Sequence, residues 1–191
     1  MIIVNHKANT NQKLIETSRE FGVEIDLRSY GNRLILNHEP FQDGENFEDF
    51  LKDYNHKLLI LNVKSEGIER EVSRLVKEYG IKDYFFLDIT FPFMVKYMKE
   101  GWREFALRFS EYESIETCLK MKEKAEWVFV DNFTHIPTEN DSLTILKKFF
   151  KVCLVSPELL NRNGEIEQTK RLAKKYNIDA VLTDDLKAWK E

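Results

Sequence analysis

Short apolar runs alternate along this chain with segments whose apolar residues recur at helical spacing. Eight runs read as strands: "IIVNH", "VEIDL", "KLLILNV", "DYFFLDI", "EFALRF", "WVFVDNF", "KVCLVS" and "DAVLTDD". Between them the period becomes helical. In "SEGIEREVSRLVKEYG", Ile68, Val72, Leu75, Val76 and Tyr79 fall on one face and Gly80 supplies the stop. In "GEIEQTKRLAKKYN", Ile166, Leu172, Ala173 and Tyr176 line a face, and Asn177 is suited to the left-handed position that ends a helix. The polar stretch from Thr138 to Asp141 reads as a helix start.

Strands alternating with amphipathic helices build right-handed βαβ units and a parallel sheet. Eight repeats predict a compact (β/α)8 TIM barrel, a little under the roughly 200 residues such barrels usually take, which implies lean loops. An open doubly wound sheet is the alternative. No linker, low-complexity stretch or charge block interrupts the pattern, so one domain over residues 1–191 is expected.

Composition adds constraints. A chain of 191 residues, 42% of them hydrophobic, can bury one real core. Its 29 basic and 33 acidic side chains are intermixed, so no basic face announces a nucleic-acid partner. No apolar run is long enough for an integral membrane segment, and "MIIV" falls far short of a signal-peptide core, so a cytoplasmic location is expected. Cys118 and Cys153 lack metal-ligand spacing and read as buried free thiols.

Chemistry concentrates in "GVEIDLRSYGNRLILNHEPF". Alternate strand residues face one side, so Glu24 and Asp26 point together. A pair of acids on a strand is often a solvated face, but both faces of a barrel strand are covered, and unpaired buried charge is costly. Gly31-Asn32 is a two-residue hairpin signal, after which Leu34, Leu36 and His38 share a face. His6 closes the first strand, and Asn62 and Lys64 close the third. Barrel active sites gather at those carboxyl ends.

Two carboxylates and an amide oxygen, Glu24, Asp26 and Asn62, suit a hard divalent cation such as Mg2+ or Ca2+. Histidine is the side chain whose ordinary pKa lies near neutrality, so His6 and His38 are the candidates for exchanging protons. Arg108, at the end of "FALR", can meet an anion or form a structural ion pair. His56 and His135 accompany no carboxylate pair and are expected to be structural.

These residues resemble the glycerophosphodiester phosphodiesterase family, in the superfamily that holds the phosphatidylinositol-specific phospholipases C. His6 matches the histidine of its HRG motif, Asn9-Thr10 the end of ENT, "EID" its E-x-D, and "LILNHE" its strand ending in HD. "NFEDFLKDYNHKLLILNVK" is similar to the helix and strand ending in L-E-I-K, and "YNIDAVLTDDL" to the closing "GVDGIITDYP". The resemblance implies a barrel that cleaves a small polar phosphodiester, with His6 and His38 as acid and base. It further implies a divalent metal on Glu24, Asp26 and Asn62, and phosphate contacts from Lys7 and Lys64.

Three departures stand out. HRG is "HKA" here, so Lys7 keeps a point charge where the family has an arginine's two-pronged grip. Asn62 stands in place of the family's third metal-binding glutamate. The insertion that usually follows the HD strand has no room in "EPFQDGENFEDFLKDYNHK". Two alternatives to a metal-assisted hydrolase follow: a weak or inactive member that binds a phosphorylated ligand or a partner, and a metal-independent lyase giving a cyclic phosphate.

Overall fold

The computed structural model of the chain describes residues 1–190. In chain order it runs β1 (Ile2–Asn5), α1 (Asn11–Glu16), β2 (Gly22–Tyr30), β3 (Arg33–Leu36), β4 (Glu45–Asn46), α2 (Phe47–Asp53), β5 (Leu59–Val63), α3 (Glu69–Glu78), β6 (Tyr84–Leu87) and α4 (Phe91–Lys99). It continues with β7 (Ala106–Phe109), α5 (Ile115–Lys120), β8 (Trp127–Val130), α6 (Ser142–Lys147), β9 (Lys151–Val155), α7 (Ile166–Lys175), β10 (Ala180–Thr183) and α8 (Leu186–Trp189). Each of the eight predicted strands is present. β3 is the second arm of the expected hairpin, and the two-residue β4 is an addition that is too short to leave a period in the sequence.

The chain forms two compact bodies, residues 5–97 and residues 1–4 together with the chain from Met98 onward. In the first, the strand order is β4-β3-β2-β5-β6. β2, β5 and β6 run parallel, while β3 and β4 return antiparallel. Tyr30 pairs with Arg33, so Gly31-Asn32 is the whole turn, with Gly31 at φ +58°. In the second body β1 lies beside β10, and β10, β9, β8 and β7 follow in parallel.

Helix ends follow the sequence signals. α3 stops before Gly80 (φ +70°), and α7 before Asn177 (φ +50°), both left-handed. Val72, Leu75 and Val76 of α3 are buried on the face read from periodicity. Cys118 and Cys153 are buried and free.

Candidate active site

β2 supplies the centre. From Gly22 to Leu27 every residue is buried. One face is Val23, Ile25 and Leu27, each fully buried, which contributes about 1.5–3 kcal/mol per side chain. The other carries Glu24 and Asp26, also fully buried, and then Arg28. Buried carboxylates must be bonded, and nearly every bond they make here comes from a different strand or loop.

Glu24 is held from two sides. Asn62 on the paired strand β5 donates from Nδ2 to Oε1 at 2.8 Å, and the Lys7 backbone N–H donates to Oε2 at 2.8 Å. Lys7 reaches this geometry with φ +50°, a left-handed position that costs a non-glycine residue on the order of 1 kcal/mol. Asp26 is clasped by Asn9, whose amide donates to Oδ2 and accepts from the Asp26 N–H, both at 2.8 Å. Within this cluster Asp26 Oδ1 and Asn62 Oδ1 are buried and accept no hydrogen bond.

The Lys64 ammonium stands 3.7 Å from Asp26 Oδ1 and 3.0 Å from Asp88 Oδ2. Asp88 follows β6 directly and is itself left-handed, at φ +61°. Arg28 braces the same end: Nη1 donates to the Lys64 carbonyl at 2.9 Å, and Nε and Nη2 donate to the His38 carbonyl at 3.0 and 2.7 Å. Burial, then repulsion from Asp26, pushes the Glu24 carboxyl up to about 7.

The other expected residues lie as follows. His6 follows β1 and is half-buried, with its carbonyl accepting from Lys13 Nζ at 2.6 Å. β3 ends at Leu36, so His38 lies just past the ladder; its side chain is 43% exposed and its Nδ1 is 2.6 Å from Glu39 Oε1. Arg108, in the other body, is ion-paired with Asp131 and stacked over Phe129. His56 Nε2 bonds the Thr17 carbonyl at 2.9 Å, and His135 Nε2 bonds Glu139 at 2.8 Å.

Asp88 and Arg28 were not anticipated. The signals were present: Arg28 continues the 24, 26 alternation, and Asp88 ends the strand "YFFLD". Their partners, however, depend on strand register.

The donor set can be tested against a divalent ion. Among the described residues no three His, Cys, Asp or Glu side chains are already drawn around one metal-sized point. The oxygens nevertheless fit a hard cation. Asp26 Oδ1 and Asn62 Oδ1 are buried, accept no hydrogen bond and are carried by residues opposite one another in the β2–β5 register. The carboxylates of Glu24, Asp26 and Asp88 also outnumber the single ammonium of Lys64 set among them.

Eight strands alternating with helices are the pattern of a (β/α)8 barrel, and the polar cluster gathers toward the carboxyl ends of β2, β5 and β6. The match to known structures spans nearly the whole chain. One is a glycerophosphodiester phosphodiesterase from Agrobacterium tumefaciens str. C58, 11% identical, with a TM-score of 0.67 over 98% of each chain. Another is a glycerophosphoryl diester phosphodiesterase from Parabacteroides distasonis ATCC 8503, 12% identical, with a TM-score of 0.65 over 96% of this chain and 82% of that one. No family model matches the sequence, and no curated protein does. The fold is therefore the (β/α)8 barrel of these enzymes, at a sequence distance where fold alone is shared. No helix among the described residues is long and apolar enough to cross a membrane.

Proposed function

We propose that the chain is a phosphodiester hydrolase of the glycerophosphodiester phosphodiesterase kind, acting on a small polar phosphodiester at the carboxyl ends of β2, β5 and β6. The observation that carries this reading is the fully buried Glu24–Asp26 pair with the Lys64 ammonium set against it, on this fold. Burying charged groups on a strand face is weak evidence for a stabilising role, because replacing buried ion pairs by apolar residues of similar volume is often neutral or stabilising.

In this reading Lys64 and Lys7 meet the phosphate oxygens. His6 and His38 exchange the protons: one takes the proton of the attacking water or hydroxyl as its oxygen bonds to phosphorus, and the other protonates the alkoxide as its P–O bond breaks. Glu39 on His38 Nδ1 leaves Nε2 for that exchange. Glu24, Asp26 and Asn62 would hold Mg2+ or Ca2+, which when bound polarises the phosphoryl oxygens. Arg108 is left out of the phosphate set because Asp131 already pairs it.

Hydrolysis of a chromogenic phosphodiester by the purified chain is the test. Turnover lost in His6→Ala and in His38→Ala supports the reading; absence of turnover in the native chain, with and without added divalent ion, sinks it. A cyclic product would mark the lyase variant. The second reading, binding without turnover, is favoured by Glu24, whose two oxygens are both already engaged.

A further inference from the structure

Asp88 has no part in the set read from the sequence, yet its Oδ2 shares the Lys64 ammonium with Asp26. Asn62, opposite Asp26, is a neutral amide that gives its donor end to Glu24. The next strand, β6, is paired to β5 with Leu87 opposite Asn62, and Asp88 comes immediately after. One point in space, the Lys64 ammonium, lies within ion-pair reach of both Asp26 Oδ1 and Asp88 Oδ2. Asp26 Oδ1 and Asn62 Oδ1, on residues opposite one another in the β2–β5 register, are both buried and accept no hydrogen bond.

An ammonium and a divalent ion want the same surroundings, oxygen atoms carrying negative charge, but the ion draws its ligands to about 2.0–2.6 Å. The spacing around Nζ is looser than that, as expected for carboxylates gathered about a lysine. We propose that Asp88 is an oxygen ligand of a divalent-cation position shared with Asp26 and Asn62, and that the Lys64 ammonium holds this position when no such ion is bound. Lys64 is then a competitor of the ion, and its departure frees a cation to meet an anionic group of the substrate. The inference rests on the metal-assisted reading given above.

Calorimetric titration of the purified full chain with Mg2+, Ca2+ or Mn2+, without substrate, tests it. Asp88→Asn is expected to weaken the ion on the order of 10-fold or more, since affinity follows the charge count of the ligands. Lys64→Met is expected to tighten it by a similar factor, a gain that misfolding cannot produce. Wild-type affinity in Asp88→Asn, or no gain in Lys64→Met, overturns the proposal. If Glu24→Gln then abolishes binding, the metal-assisted reading survives without Asp88. Turnover of the chromogenic diester that persists in chelator, with no ion bound, overturns the proposal and leaves a metal-free phosphodiesterase. Neither binding nor turnover overturns both.

Discussion

Asn62 Nδ2 donates to Glu24 Oε1 at 2.8 Å, joining β5 to β2 across 38 residues of sequence inside a buried strand face. Replacing Asn62 by leucine would leave one oxygen of a buried carboxyl without its donor. An unmade bond of this kind costs about 1–3 kcal/mol. Urea denaturation of Asn62→Leu should show a midpoint lowered accordingly, and Asn62→Gln should recover part of the loss only if its longer side chain still reaches Glu24.

Glu24 makes stability depend on pH in an unusual direction for a carboxylate. Its folded value is raised from 4.5 to about 7, first by burial and then by Asp26. Between those two values the folded state holds the proton and the unfolded state does not, so stability is fullest below about 4.5 and falls as pH rises toward 7. The loss attributable to this group is about 3 kcal/mol. Denaturation midpoints across that window should slope downward with pH in the metal-free chain, and Glu24→Gln should flatten the slope. A slope unchanged by the substitution would assign it to other groups.

His38 and Glu39 form a carboxylate–imidazole pair at the rim. If the pair exchanges protons with substrate, His38→Ala should lower kcat by roughly 100- to 10,000-fold. Glu39→Gln should lower it far less, because the amide still bonds Nδ1 while the charge is gone. Steady-state kinetics on the chromogenic diester separates the two; equal losses would mean that Glu39 does more than orient the ring.

Arg28 reads as a brace for the site's loops. Its three donor contacts end on the carbonyls of His38 and Lys64, fixing the backbone of two expected functional residues at once. Arg28→Lys keeps the charge and loses the fork. Hydrogen bonds from a charged donor contribute about 1.5–3 kcal/mol, so a loss of that order in thermal unfolding is expected, together with faster amide exchange around residues 37–39 and 64–65. Unchanged exchange there would show that the loops hold themselves.

Much of the fold was legible because it depends on short-range patterns. Eight apolar runs became strands, Gly31-Asn32 became the turn, and Gly80 and Asn177 ended their helices. The E-x-D alternation and the end of β5 pointed to residues that do cluster. The bonds within the cluster were not legible, since they join positions 17, 24 or 38 residues apart and depend on which strand lies beside which. Asp88 illustrates the limit: an aspartate closing a strand is unremarkable until β6 is known to flank β5. The β4 pairing escaped for a different reason, being only two residues long.

The two amides that hold the carboxylates make the site sensitive to a change of one atom in either side chain. Asn9 and Asn62 donate to Asp26 and Glu24, and hydrolysis of either side-chain amide would exchange a donor for another negative oxygen. The apolar face of β2 would be untouched. Each such deamidation would set like charges against each other where a clasp had been.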